Sequence, residues 1–531
     1  VIKKFLLSAL LVVWLVSFPF TGQTWAQSTT SPSPTASPTG TASPTATASP
    51  TSSPSLSVSP SASPAPTSAP VSGDVVILNK EQKEALDKLL APAPAASPIN
   101  SGDTAFMLIC AALVLLMTPG LAFFYGGLVR TRNVLNTMMM SLLLMAVVGV
   151  TWVLWGYSLA FDVSITPPAT FGQGIQKFIG GLEWTFLNGV KFDAPDPIGY
   201  AGTIPHAVYM VYQMMFAIIT PALISGAIVE RMSFKAYFWF ILLWSTFVYS
   251  PLAHMVWGKG FLGELGALDF AGGTVVHISS GVAAVVAVLV VGARKDFSTR
   301  PHTPHNVPYV LLGIGLLWFG WFGFNAGSAL NAGTGAVVAF VATTVATSAG
   351  GLTWLVIEWV LRGKPTAVGI ASGFLAGLVG ITPAAGFVTP IGAILIGSIA
   401  AVCCFIAVSL RAKFKFDDSL DTFSVHGVGG TVGAMLTGVF ATKAVTGATT
   451  NVGLIDGNAG QILIQFYGVA TTYAFSAIAT FIILQVLKLF MDLRVAPSVE
   501  EQGIDIPIHG EEGYGSDFGF GVSVSKASSE S

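Results

Sequence analysis

Residues 104–160 read TAFMLICAALVLLMTPGLAFFYGGL (104–128), VRTRNV (129–134) and LNTMMMSLLLMAVVGVTWVLWGYSLA (135–160). Two long apolar runs flank a hexapeptide that carries two arginines. A helix rises about 1.5 Å per residue, so either run is long enough to cross the ~30 Å hydrocarbon layer of a bilayer. The pattern continues along the chain, and we count eleven such spans: 104–128, 135–160, 204–229, 234–252, 270–292, 307–326, 334–360, 367–385, 388–410, 422–441 and 461–489. The fold class expected is therefore an all-α polytopic membrane protein.

Composition agrees. Of 531 residues, 53% are hydrophobic and only 9% charged, where a soluble domain carries roughly 25% charged residues. The 58 glycines suit helices that pack closely in a membrane. A net charge of −2 gives no field to draw nucleic acid. Cys110, Cys403 and Cys404 lie in apolar runs without metal-ligand spacing and read as packing residues.

Ahead of the spans, Lys3 and Lys4 precede the apolar run 5–20, and small residues follow. Residues 1–26 have the form of a secretory signal, or of an uncleaved anchor. Either places residue 27 onward outside the cytoplasm. Residues 28–71 are almost wholly Ser, Thr, Pro and Ala, a composition that cannot bury enough apolar area to fold. The organisation expected is a leader (1–26), a disordered extracytoplasmic segment (27–100) with a short charged helix over Asn79–Leu90, a membrane domain (101–494) and a cytoplasmic tail (495–531).

Basic residues test the topology. With the N-terminus outside, the inner segments from residue 101 onward hold fifteen Lys and Arg, among them Arg130, Arg231, Arg294 and Arg411. The outer loops hold four: Lys177, Lys191, Lys259 and Lys443. The bias runs in the positive-inside direction and puts the C-terminus in the cytoplasm. Gly-Gly-Thr-Val occurs near a histidine twice, at 272–275 before His277 and at 429–432 after His426. Five spans separate the two, so two five-helix halves would be inverted relative to each other, a transporter plan with the substrate path at the repeat interface.

Ionisable side chains within a membrane mark a pathway by default. A lone buried histidine is more often a structural residue, but two at equivalent repeat positions point to a shared site on the symmetry axis. An imidazole accepts or donates a proton near neutral pH. Metal binding lacks a third ligand, and haem ligation lacks histidines paired on each helix, so no cofactor is expected. Asp269, eight residues before His277 and ~12 Å nearer the outer face, is placed either to cap the helix or to supply negative charge for an incoming cation. Tyr212, Phe216, Tyr249, Trp257, Trp321 and Phe324 crowd the outer ends of the spans, as an interfacial belt or as an aromatic cage for a cation.

Trp257-Gly258 followed by Gly266-Ala267-Leu268-Asp269-Phe270-Ala271-Gly272-Gly273-Thr274-Val275-Val276-His277 resembles the signature of the ammonium transporter family. So do Phe124-Tyr125-Gly126-Gly127, Gly320-Trp321-Phe322-Gly323-Phe324-Asn325-Ala326-Gly327-Ser328 and Val425-His426-Gly427-Val428-Gly429-Gly430. The resemblance runs from about Asp103 to Gly515. It implies eleven helices with an inverted pseudo-twofold, a homotrimer with one pore per subunit, and no enzymatic activity.

The resemblance also implies residue roles. Phe216, Trp257 and Ser328 match the outer site that receives NH4+, with methylammonium as an analogue, and Phe216 and Phe324 match the stacked rings beneath it. Tyr212 stands where many bacterial members have phenylalanine. Asp269 matches the acidic residue behind the site, and His277 and His426 match the twin histidines of the pore. Ammonium would lose its proton near the outer site, ammonia would cross, and the proton would follow through the histidines. The glycine-rich acidic tail from Val495 resembles one that packs under the neighbouring subunit, and bacterial relatives are plugged by a PII-type nitrogen-signalling protein. Asp421, only five residues before His426, implies either that span ten starts deep or that Asp421 is itself buried and paired. Rival functions are an ammonium sensor, a Rhesus-type gas channel and, least supported, a redox enzyme.

Overall fold

The computed structural model describes residue 80 and residues 98–163, 172–297, 299, 303–414 and 416–515. The expected leader, nearly all of the Ser/Thr/Pro/Ala segment with the short helix expected over 79–90, and the tail beyond residue 515 lie outside the described residues. Ten of the described helices are long and apolar enough to cross a membrane. In chain order these are α1 (Ser101–Leu128), α2 (Thr131–Phe161), α3 (His206–Ile228), α4 (Phe234–Glu264), α5 (Gly273–Val291), α6 (Val307–Ala329), α7 (Thr334–Arg362), then after one shorter helix α9 (Pro390–Phe414), α10 (Phe423–Phe440) and α11 (Gly460–Lys488). The shorter apolar helix, α8 (Ala367–Ile381), falls where the eighth span was expected. No strand occurs among the described residues, and one isolated bridge joins Met232 to Arg494.

Burial separates centre from periphery. In the most apolar stretches of α3 and α5, 89% and 83% of residues are buried, against 39–50% in α1, α2, α6, α7, α9 and α11. The outer helices instead expose large apolar side chains such as Ile109, Val337, Leu352, Trp359 and Ile391. In water such a surface would be an aggregation hazard; in hydrocarbon it costs nothing. The chain is a multi-pass membrane protein.

Helices approach closely where glycine removes the side chain between them. A Cβ on Gly281 of α5 would lie 2.4 Å from the Gly427 amide nitrogen. One on Gly430 of α10 would lie 2.9 Å from the Gly273 carbonyl oxygen and 3.0 Å from the His277 Cβ. Gly281 and Gly430 each stand four residues after a histidine. The contact is therefore reciprocal, as a pseudo-twofold between the halves requires. It also brings the two histidines together.

Charge collects at one end, called here the Arg294 end. Arg294 reaches Glu230 and Asp417, each at 2.8 Å, with all three side chains almost fully buried. Arg231 is wholly buried, and its guanidinium donates to the carbonyls of Gly292, Val229, Ala227 and Asp417 and to the Ser419 hydroxyl. Those five bonds match its five N–H donors, the condition for burying this group without an unsatisfied charge. Burial still brings its pKa down to about 10. The network fixes the ends of α3 and α5 against residues 417–419, the lead-in to α10. The tail packs on the same end of this chain: Glu500 pairs with Arg494 at 2.7 Å, and the Asp505 carboxylate accepts the backbone N–H groups of Leu135 and Asn136 near the start of α2.

Candidate functional site

The site lies along the line where α3, α5, α6 and α10 meet. Away from the charged end, a chamber of about 560 Å³ is lined by Gln213, Phe216, Trp257, Lys259, Ser328 and the Tyr200 and Tyr209 rings, among others. Three predicted residues thus share one wall. Phe216 and Trp257 meet edge to face with centroids 6.0 Å apart, which presents two π-surfaces to the same volume. The Ser328 hydroxyl lies 2.9 Å from the Phe324 carbonyl and 3.2 Å from the Tyr212 hydroxyl. Ser328 donates its one proton to the Phe324 carbonyl, so an oxygen lone pair remains to accept from a ligand N–H.

Asp269 and Tyr212 sit one layer behind this wall. The Asp269 carboxylate accepts the backbone N–H groups of Gly272, Gly273, Thr274 and Val275 and the Thr274 hydroxyl. It satisfies the orphan amides that open α5, which is the capping role. Its own carbonyl accepts the Trp257 indole N–H at 2.9 Å, so one residue both starts the histidine helix and orients the chamber's largest ring. Tyr212 is fully buried, and its hydroxyl lies within hydrogen-bonding distance of the carbonyls of Gly323 and Phe324. It ties α3 to the end of α6 that presents Phe324 and Ser328.

Beneath the chamber, Phe216 and Phe324 stack with centroids 4.2 Å apart and both rings buried. Below them, His277 lies parallel to Trp321 at 5.4 Å and to His426 at 5.3 Å. The two Nδ1 atoms are 3.2 Å apart. A hydrogen bond between them requires one Nδ1 to carry the proton and the other to accept it, so in the neutral pair the two rings are opposite tautomers. The His277 Nε2 is buried with no hydrogen-bond partner among the described residues. Both histidines sit in π-helical turns, Gly273–Ile278 and Phe423–Gly427, irregularities that recur at functional sites.

On the far side His426 lines a second chamber of about 400 Å³, together with Tyr125, Arg130, Arg294, Arg411 and Asp421. The spacing puzzle over Asp421 resolves as a pair: its Oδ1 lies 2.6 Å from the Arg411 Nε, with the side chain 28% exposed. Partial burial pushes its carboxyl up to about 7, against the pull of Arg411.

Three residues at the site escaped the sequence reading. Gln213 lines the first chamber with its amide oxygen buried and without a hydrogen-bond partner among the described residues. Its position one helical turn before Phe216 was the available signal. Asp418 accepts the amides of Thr422 and Phe423 and stands eight residues before His426, the same interval that separates Asp269 from His277. The repeat carried that signal. Arg411 had none, since its partner is set by the crossing of α9 with the α10 lead-in.

Residues 105–514 match the Ammonium Transporter Family. The ammonium transporter of Bacillus subtilis is 51% identical over 417 residues, covering 78% of this chain and 99% of that protein. That of Aquifex aeolicus is 51% identical over 419 residues, covering 78% and 94%. Among solved structures, Saccharomyces cerevisiae Mep2 superposes with a TM-score of 0.68 at 37% identity over 75% of this chain and 88% of that one. A structure titled Sensor Amt Protein gives 0.69 at 28% identity over 77% and 98%. Two chambers joined through stacked rings and a histidine pair, on helices that match this family over most of their length, place the chain: it belongs to the ammonium transporter family.

Proposed function

We propose that the protein carries ammonium across the membrane by separating it into ammonia and a proton. The observation that carries this reading is the Nδ1–Nδ1 contact of His277 and His426 directly beneath the Phe216–Phe324 stack. NH4+ enters the chamber at the Trp257 end, where the faces of Trp257 and Phe216 attract the cation and the Ser328 hydroxyl accepts one of its N–H groups. Asp269 stabilises this geometry through the α5 cap and the Trp257 indole, and its buried negative charge favours a cation nearby. Below the chamber the lining is apolar, and bringing a bare cation through it would cost many kcal/mol. Loss of a proton removes that cost. Ammonia then passes the rings, and the proton follows through the opposite tautomers of the histidine pair. K+ has no proton to lose and is rejected.

The Trp257 end is the outer face and the Arg294 end the cytoplasmic face, by the distribution of Lys and Arg, and the membrane is the cell membrane. All eleven helices, α8 included, span it, and the assembly is a homotrimer. A PII-type protein docks at the cytoplasmic face. A sensor function is the second reading, favoured by the match to the structure titled Sensor Amt Protein.

Proteoliposomes distinguish the readings. Ammonium applied outside evokes a current in the wild-type protein, and His277→Leu and His426→Leu suppress it while labelled methylammonium uptake, normalised to assembled protein, falls less. A sensor gives neither signal, a gas channel gives uptake without current, and wild-type currents in both variants would return the histidines to a packing role.

A further inference from the structure

Asp421 adopts left-handed backbone, φ 58°, a conformation free to glycine and visited less readily by aspartate. It stands five residues before His426. Five residues before His277 stands Gly272, also left-handed at φ 114°. Both histidine helices are thus entered through a left-handed turn, built with glycine at one end and with aspartate, at a modest cost, at the other. Glycine makes the turn without strain, and strain of this kind persists where the side chain has a use.

Capping is not that use. Asp418 accepts the first amides of α10, whereas the Asp421 carboxylate faces Arg411 in the chamber that His426 also lines. We propose that Asp421 is the inner proton-exchange group of the pathway, taking the proton that leaves His426 and returning it to emerging ammonia. This rests on the relay reading above. In the first step an imidazole N–H bond breaks and a carboxyl O–H bond forms, leaving a neutral histidine. In the second, the carboxylic acid gives its proton to NH3, NH4+ departs and the carboxylate is restored. A chamber of about 400 Å³ has room for several waters to bridge the two groups. The charges around Asp421 are Arg411 from α9, Asp418 on its own turn, and Arg130 and Arg294 on the chamber wall, with Arg231 and Asp417 behind it. An acid titrating near 7 both accepts and releases protons at cytoplasmic pH.

The test is inward ammonium current in proteoliposomes with the interior pH varied, on wild type, Asp421→Gly, Asp421→Asn and Arg411→Gln, each normalised to assembled protein. Only the ionised carboxylate accepts a proton, so wild-type current falls as interior pH drops through about 7. Asp421→Gly, which keeps the turn and relieves its strain, and Asp421→Asn lower the current roughly tenfold. Both remove the interior-pH dependence and leave the half-saturating outer ammonium concentration unchanged. Arg411→Gln keeps the dependence and moves its midpoint upward, because the lost positive charge had favoured the carboxylate. Wild-type current and wild-type interior-pH dependence in Asp421→Gly would overturn the proposal while leaving the relay intact. A purely structural ion pair predicts current falling only with protein, at an unmoved midpoint, and also overturns it. A silent wild type sinks the relay, and this inference with it.

Discussion

The lead-ins to α5 and α10 are the same device used at opposite ends. In each, an aspartate eight residues before a histidine gathers amides at the helix start, and a left-handed residue stands five before it. The surroundings differ. Asp269 receives four amides and a hydroxyl and holds an indole, and the chamber beside it is walled by rings. Asp418 receives two amides, and the chamber beside it is walled by Arg130, Arg294, Arg411 and Asp421. Aromatic faces attract a weakly hydrated cation without binding its proton, whereas a carboxylate can take the proton itself. On the reading proposed above, one scaffold carries capture at one mouth and proton exchange at the other.

If the two caps differ as their hydrogen bonds indicate, their removal separates most sharply. Asp269→Ala leaves the opening turn of α5 without its acceptor and the Trp257 indole without a fixed carbonyl partner. We expect ammonium current to be lost, along with about 0.5–2 kcal/mol of stability. Asp418→Ala removes fewer bonds and no ring contact, so part of the current survives. Asp269→Asn also fails, since both carboxylate oxygens accept and an amide NH2 on one arm would meet donors. Current and the yield of assembled protein measured together decide this. Equal residual current in Asp269→Ala and Asp418→Ala would erase the distinction.

A smaller effect follows at the ring wall. Trp257→Leu removes a cation–π surface worth about 0.5–2 kcal/mol and spares the α5 cap. The half-saturating ammonium concentration should rise by roughly 2- to 30-fold, converting that energy at 25 °C, with the dependence on interior pH untouched. An unchanged concentration dependence removes Trp257 from capture.

Much of this was legible before any coordinates. Hydropathy delimited ten of the eleven helices to within about four residues, because each must satisfy its backbone internally over a fixed thickness, but it ended the fourth at 252 where α4 runs on to Glu264. The histidines stood out because charge-bearing side chains are rare in such runs. What the sequence could not supply were contacts made across the bundle. That Tyr212 ties α3 to the end of α6, that Arg411 meets Asp421, and that Asp269 reaches Trp257 through its backbone carbonyl all depend on helix crossings. Nor does periodicity register a left-handed aspartate, since the same letters fit an ordinary turn.

The smallest expected effect concerns Lys259, the one cation among the described residues that line the Trp257 chamber. Its backbone is left-handed at φ 65° and its ammonium lies 5.6 Å from the Tyr200 ring centroid. A primary ammonium on an aromatic face has the chemistry of ammonium itself, and it places positive charge where the proposed reading has the cation enter. Lys259→Gln removes that charge and keeps most of the side chain. The half-saturating ammonium concentration should fall by about twofold at low ionic strength. The difference should fade above about 0.15 M salt, where the Debye length shrinks to about 8 Å. Nothing at the Asp421 end changes in this variant, so the interior-pH profile stays put. A shift in that profile would mean that the two mouths are coupled and that the division between capture and proton exchange is wrong. A salt-independent change in saturation would assign Lys259 to chamber shape and leave its charge without effect.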